Sequence, residues 1–107
     1  MSMKWIVEKG RICSRDESGD VIAEATFHEK ANGEYDIDHT YVVPRLRGRG
    51  VAGDMMTAVA EHFRARKAKV TASCAYAHVW LKRHEQQYAD IISEDFAGEP
   101  LTCRFTL

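Results

Sequence analysis

No stretch of the 107-residue sequence approaches the roughly 20 consecutive apolar residues that a membrane-spanning helix needs. Residues 1–7 also lack an apolar run of the length found in signal peptides. An excess of one charge is missing as well, because 15 Lys and Arg residues stand against 16 Asp and Glu residues and leave a net charge of −1. We therefore expect no membrane span, and no general affinity of the whole chain for nucleic acid or anionic membranes.

Cysteines are few, and their spacing does not suggest disulfide bonds. Cys13, Cys74 and Cys103 are an odd number at wide spacing, which does not indicate a disulfide framework and favours a reducing, cytoplasmic location. Cys74 and His78 are four residues apart and His84 follows, but no Cys-x-x-Cys or second close pair supplies four zinc ligands. We therefore predict no metal site.

Internal repeats and low-complexity segments are also missing. With 45% hydrophobic and 29% charged residues, the composition is that of an ordinary globular protein. A chain of this length buries one modest core, so we expect a single domain spanning residues 1–107.

The most informative stretch runs from Tyr35 to Lys67 and reads as a strand, a loop and a helix. Tyr35–Val43 is rich in β-branched and aromatic residues, and Pro44, which has no N–H to donate, ends it. Residues 45–50 read Arg-Leu-Arg-Gly-Arg-Gly, and apolar residues at helical spacing follow from Val51. The free N–H groups of a helix start attract anions, and glycines let a ligand come close. The stretch therefore predicts a phosphate site; the simpler interpretation is a glycine-rich turn with solvated arginines.

The same loop matches a second glycine pattern, Gly48-x-Gly50-x-x-Gly53, which is typical of dinucleotide-binding folds. Those folds need an acidic residue about 20 positions further on, and residues 71–74 read Thr-Ala-Ser-Cys. No Gly-Lys-Ser or Gly-Lys-Thr follows, which excludes a P-loop. Neither of these nucleotide sites fits the sequence.

Strand and turn signals surround the central stretch. The predicted elements outside it are a strand at Lys4–Ser14 with Gly10 as a candidate interruption, a turn at Glu17–Asp20, a half-buried strand from Val21, a hairpin turn at Asn32-Gly33, a strand at Lys69–Cys74, one or two helices over Ala75–Ile92 and a final strand at Leu101–Leu107. A strand, a helix and a strand in this order usually form a right-handed crossover with parallel strands.

Several groups of residues together resemble a known family. Arg45-x-x-Gly48-x-Gly50-Val51-Ala52, after a strand that ends Val42-Val43-Pro44, resembles the coenzyme A signature of the GNAT N-acetyltransferase superfamily. Similarity to its very short single-domain members, over roughly residues 11–92, adds His39-Thr40-x-Val42, Cys74-Ala75-Tyr76, and Arg83-His84-Glu85 with Tyr88. The resemblance implies an α+β fold with a mixed sheet, namely a shortened GNAT-like acyl-CoA N-acyltransferase fold in which an antiparallel meander precedes a βαβ unit.

The resemblance also implies acetyl-CoA or coenzyme A as the cofactor, held by the loop and the strand before it. Backbone N–H groups of residues 47–52 would hold the pyrophosphate, and residues 41–43 would flank the pantetheine arm. The predicted cofactor-binding residues are Tyr41, Val42, Val43, Arg45, Arg47, Gly48, Arg49, Gly50, Val51 and Ala52.

Two residues are candidates for catalysis. Cys74 lies where a strand ends and a helix begins, which stabilises a thiolate, but the residues alone fit a small buried hydrophobe equally well. The resemblance favours function, since the short GNAT-like group has a cysteine at this place. His39 shares the predicted strand face of Ile37 and Tyr41, so we expect it to be buried, as a hydrogen-bonded core residue or as a general base. Asp38 is the nearest carboxylate that could serve as the base instead, but it is expected on the other side of the strand and ranks below His39.

These observations predict a small cytoplasmic N-acetyltransferase that moves an acetyl group from acetyl-CoA to an unknown amine, directly or through Cys74. Full-length GNAT domains usually carry helices between their first two strands, where this chain has only Gly19-Asp20. The alternative is therefore a CoA-binding module without physiological transferase activity, and a third hypothesis is an interaction domain that uses the fold as a scaffold. The expected partners are a small-molecule acyl donor and an amine, without nucleic acid or membrane, and the expected state is a monomer or weak homodimer.

Overall fold

The structure, a computed structural model, describes residues 3–98 of the chain. In chain order these form β1 (Ile6–Glu8), β2 (Arg11–Arg15), β3 (Val21–Glu29), β4 (Tyr35–Val42), a 3₁₀ turn (Pro44–Leu46), α1 (Val51–Ala65), β5 (Val70–Ala72), α2 (Ala75–Arg83) and a second 3₁₀ turn (Phe96–Gly98). No helix in this range is both long and apolar enough to cross a membrane. The predicted strand Leu101–Leu107 lies outside the described residues, so that strand and the domain extent of 1–107 stay predictions.

The five strands form one sheet in the order β1-β2-β3-β4-β5, which is also their order in the chain. Neighbouring strands from β1 to β4 are antiparallel, whereas β5 runs parallel to β4 after the crossover through α1. This confirms the predicted α+β fold, in which an antiparallel meander precedes a βαβ unit. The predicted first strand, Lys4–Ser14, is two strands, because the chain turns back at Gly10, where φ is +78°.

α1 covers one face of the sheet and builds the core with it. Its buried stripe consists of Val51, Met55, Met56, Val59, Ala60 and Phe63. The Phe63 ring lies 4.9 Å from Phe27 of β3 and 5.3 Å from Tyr35 of β4, centroid to centroid. The helix ends at Ala65, two residues before the predicted Lys67, where a φ of 55° takes the chain out of helical geometry.

The segment after β5 begins as a helix but does not remain helical as far as Ile92. α2 ends at Arg83, and turns follow it. Tyr88 in these turns is buried, and its hydroxyl donates to Glu61 of α1 at 3.0 Å. Ile92 forms a single parallel bridge with Val70 of β5. The turns therefore contact α1 and β5. The apolar residues that predicted a helix as far as Ile92 are spaced by the burial of these turns.

A β-bulge in β4 decides where its side chains point. Pairing with β3 shifts between Ile37, which is opposite Phe27, and His39, which is opposite Thr26, so Asp38 is the extra residue. Directly paired residues share a face. Ile37 therefore stays with Phe27 on the α1 side, whereas His39 lies with Thr26 on the other side. His39 is exposed, and its predicted burial beside Ile37 is wrong because period-two alternation breaks at the bulge.

We call the side of the sheet away from α1 the outer face. In β3 and β4 it carries Glu24, Thr26, His28, Asp38, His39 and Tyr41. Asp38 belongs to it because both Thr26 and His28 hydrogen-bond its carboxylate, so the prediction that Asp38 and His39 face opposite sides is wrong. Tyr41, predicted to share a face with Ile37, is 38% exposed, and Val42 is buried instead.

Candidate functional site

A cleft of about 680 Å³ opens beside β4. The parallel pairing of β4 with β5 stops at Ile37 opposite Ala72, and within the described range the second half of β4 has no strand partner on that side. The cleft is lined by this half of β4, the loop and first turn of α1, and the junction between β5 and α2: His39, Thr40, Tyr41, Val42, Leu46, Arg47, Gly48, Gly50, Val51, Ala52, Gly53, Met55, Cys74 and Tyr76.

Most of the predicted site residues line this one cleft. The lining includes both catalytic candidates and seven of the ten predicted cofactor-binding residues; Val43, Arg45 and Arg49 are the three that it does not include. Sequence reasoning missed Thr40, Leu46, Gly53, Met55 and Tyr76 as lining residues. A signal existed for two of them, because Met55 is one helical turn after Val51 and Tyr76 lies in the first turn of a helix that starts at Cys74.

The start of α1 has the geometry of an anion site. Gly48 and Gly50 have φ of +79° and +80°, in the left-handed region that favours glycine. No side chain caps this helix, whose first bond runs from the Asp54 N–H to the Gly50 carbonyl at 3.0 Å. The N–H groups of residues 51–53 therefore have no partner inside the helix. Together with the helix dipole they favour a bound phosphate at this end of the cleft.

The three loop arginines differ in the contacts that they already make. Arg47 donates from Nε to the Val42 carbonyl at 2.9 Å and so ties the loop to the end of β4. Arg45 approaches Asp16 at 3.5 Å, and its side chain is 63% exposed. Arg49 is exposed and has no hydrogen bond or ion pair to any residue in the described range. Arg49 is thus the arginine that can meet an anion without giving up another contact.

Cys74 is the N-cap of α2, at the junction that follows β5. Its backbone N–H donates to the Ile37 carbonyl at 3.1 Å, which fixes the junction where the β4–β5 pairing stops. The side chain is buried at 2% exposure, and Sγ lies 3.4 Å from Thr40 Oγ1. Residues 3–98 contain no group of three or more His, Cys, Asp or Glu side chains that could hold a metal ion.

Cys13 is a contrasting thiol away from the cleft. It is fully buried, and its Sγ lies 3.3 Å from Glu8 Oε1. Burial raises the pKa of the Cys13 thiol above its ordinary value, and the hydrogen bond to Glu8 raises it further. This pair of effects keeps Cys13 in the unreactive thiol form.

His39 and Cys74 line the same cleft from different sides. The His39 imidazole is exposed on the outer face and makes no side-chain hydrogen bond to a residue that the structure describes. Thr40, which follows it, pairs with Ala25 on the α1 side and is the hydrogen-bond partner of the Cys74 thiol. Tyr76 stands close by, and burial raises the pKa of its hydroxyl. The thiol is thus held by Thr40, while the imidazole is open to a ligand.

The sequence matches the family model for GCN5-related N-acetyl-transferases over residues 11–91. No functionally curated protein matches the sequence.

A solved structure of a similar protein gives the same indication. The chain is similar to the NMR structure of a GCN5-like protein from Staphylococcus aureus assigned as an N-acetyltransferase, with 31% identity, a TM-score of 0.69, and coverage of 85% of this chain and 88% of that chain. The chain is more weakly similar to a nourseothricin acetyltransferase, with 20% identity, a TM-score of 0.48, and coverage of 58% of this chain and 38% of that chain. A ribosomal-protein-alanine N-acetyltransferase from Brucella melitensis biovar Abortus 2308 is 19% identical, with 92% and 74% coverage and a TM-score of 0.49.

Proposed function

The chain belongs to the GCN5-related N-acetyltransferase family, and on that premise we propose that it binds acetyl-CoA in the cleft beside β4 and transfers the acetyl group to an amine. One observation carries the proposal. The cleft is lined at one end by the start of α1, which has no side-chain cap and suits a phosphate. The same cleft is also lined by His39 and Cys74.

The donor would lie along the cleft from α1 towards the β5–α2 junction. Its pyrophosphate fits the free N–H groups of residues 51–53 and the glycine backbone before them. Its pantetheine arm carries amide groups, and residues 41–43 lie at the part of β4 that has no β5 partner. An extended amide chain beside an unpaired strand edge forms main-chain hydrogen bonds as an added strand does. Arg49 would meet a phosphate from the solvent side.

We propose direct attack by the amine as the chemical step. The acceptor ammonium first gives one proton to the imidazole of His39, which is exposed at the cleft. The amine nitrogen then forms a bond to the acetyl carbon, and the carbon–sulfur bond breaks with its electrons going to sulfur. The remaining surplus proton of the nitrogen passes to the thiolate, so the products are the N-acetyl amine and free coenzyme A.

Transfer through Cys74 is a second route within the same function. The thiol lines the cleft, and exchange of an acyl group between two thiols forms one thioester as it breaks another. Its 2% exposure and its hydrogen bond to Thr40 favour direct attack as the first route. An acetyl group on Cys74, seen by intact mass after incubation with acetyl-CoA, would reverse this order.

A CoA-binding module without physiological transferase activity is the second candidate function. The observation in its favour is that β2 and β3 are joined directly by residues 16–20, where full-length domains carry helices. The donor side of the cleft is complete without such helices, whereas an acceptor pocket usually depends on them. The two candidates share the cofactor and differ in turnover.

Calorimetry with acetyl-CoA and with free CoA, followed by CoA release in the presence of an amine panel, tests both functions. We expect binding of both ligands, and amine-dependent release of CoA. Binding without release would select the binding module, and no binding of either ligand would leave the scaffold hypothesis. The cytoplasmic location and the monomer or weak homodimer remain predictions, to be measured by fractionation and by sedimentation.

A further inference from the structure

Asp38 is an outer-face carboxylate of β4, next in the chain to the cleft. It immediately precedes the lining residue His39, and the bulge turns both side chains to the same face. The Thr26 hydroxyl donates to one carboxylate oxygen, and Nδ1 of His28 lies 2.6 Å from the other. Two side chains of β3 therefore hold this carboxylate in one orientation, with 33% of the side chain exposed to solvent.

The charge of Asp38 is not neutralised in the way that its neighbours' charges are. Glu8 and Glu24 also reach solvent, and both pair with Arg11, at 2.7 Å and 3.0 Å. Asp38 has no Arg or Lys partner among residues 3–98; its ionisable partner is His28, whose side chain is 57% exposed. Within the described residues, the cluster of Thr26, His28 and Asp38 therefore contains a carboxylate that no Arg or Lys offsets.

We propose that Asp38 is the docking anion for the acceptor, and that the acceptor class is alkylamines that arrive as ammonium ions. The inference rests on the proposed acetyl transfer and adds to it the side from which the acceptor comes. An ammonium held at Asp38 stands next to His39, which takes its proton. The nitrogen is then uncharged beside His39, which lines the cleft that would hold the acetyl group. His28 and Thr26 are positioning residues, because they orient Asp38 and need not touch the acceptor.

The test compares a charged with an uncharged nucleophile. CoA release from acetyl-CoA is followed with a thiol reagent at about pH 7.5, where propylamine is an ammonium ion and hydroxylamine is uncharged, and the uncatalysed rates are subtracted. We expect Asp38→Asn to lower kcat/KM for propylamine by about five- to tenfold, mainly through KM, because a charge-assisted contact is lost. Hydroxylamine should change less than about twofold, and the Kd for acetyl-CoA should not change.

Three variants separate this role from others. Glu24→Gln removes a carboxylate of the same face that Arg11 already neutralises, and it should leave both nucleophiles within about twofold of the unmodified protein. His28→Gln keeps the carboxylate of Asp38 but removes one of the two side chains that orient it, so propylamine turnover should fall by less than it does in Asp38→Asn. Asp38→Glu restores the charge at a longer reach and should recover part of the propylamine preference.

The outcomes are distinguishable. Equal losses for both nucleophiles in Asp38→Asn, or no loss for propylamine, overturn the docking role and leave the proposed acetyl transfer standing. A loss in His28→Gln as large as that in Asp38→Asn overturns it as well, because the imidazole and not the carboxylate would then meet the amine. If the unmodified protein binds acetyl-CoA but releases no CoA with either nucleophile, acetyl transfer itself fails and this inference fails with it.

Discussion

The left-handed backbone at Gly50 allows the proposed phosphate site to be tested by a substitution whose cost in stability can be worked out. Gly50 has φ of +80°, and a Cβ added there would meet nothing within 4 Å. Gly50→Ala therefore adds no clash in the free protein, and it costs about 1–2 kcal/mol of unfolding free energy for holding alanine in that conformation. In the complex, the methyl group would also crowd the phosphate that approaches the N–H groups of residues 51–53. We expect acetyl-CoA binding to weaken at least about tenfold, and Gly50→Val nearly to abolish it.

Gly33 provides the matched control, because it has φ of +86° and its Cβ would also meet nothing within 4 Å. It lies in the turn between β3 and β4 and does not line the cleft. Urea unfolding should show similar losses of stability for Gly33→Ala and Gly50→Ala, while calorimetry should show weaker acetyl-CoA binding for Gly50→Ala alone. Equal Kd values for the two variants would refute the assignment of phosphate to this loop.

Three further predictions follow from single contacts. Arg49→Ala should weaken acetyl-CoA binding several-fold, and the loss should be larger at low salt than at high salt. Arg47→Ala should weaken it less, since Arg47 is already hydrogen-bonded to β4. Equal, salt-independent Kd values for the two variants by calorimetry would contradict this. Iodoacetamide should label Cys74 faster than Cys13, and saturating CoA should slow only Cys74, as read by peptide mass; identical rates would make Cys74 a packing residue. Burial lowers the pKa of His62, whose Nε2 is buried and has no partner among the described residues. The unfolded chain therefore binds the proton more readily, so stability should be full above about pH 6.5 and fall as pH drops below it, and urea unfolding of His62→Leu should show a flatter pH dependence.

Local patterns predicted the parts of this protein that depend on neighbouring residues. The strand at Tyr35 and the helix from Val51 could be read from residue type and spacing, and the parallel β5 from the order of strand, helix and strand. The face of His39 could not, because the bulge at Asp38 arises from the pairing of β4 with β3 and leaves no trace in the alternation of β4 itself.

The same limit applies to the site. The glycine loop and the helix start are contiguous in sequence, and both contribute residues to the lining of the cleft. The partner of the Cys74 thiol is Thr40, which is 34 residues away, and the Cys74 backbone is hydrogen-bonded to Ile37 of the same strand. Spacing along one element carries no information about which residue of another element will stand opposite it. Cys74 was therefore predictable as a lining residue, and its hydrogen-bond partner was not.

The identity of strand order and chain order has a consequence for how the protein folds. The pairings of β1 with β2, β2 with β3 and β3 with β4 each close over a short turn. They cost little loop entropy, and we expect them to form early. The pairing of β4 with β5 must wait for the whole of α1 to be bridged, and it is the seam at which the cleft opens. The part of the sheet that forms last is therefore the part at which the cofactor would bind. A ligand that binds only the closed seam stabilises it by mass action, so the cofactor concentration would set how often this seam opens.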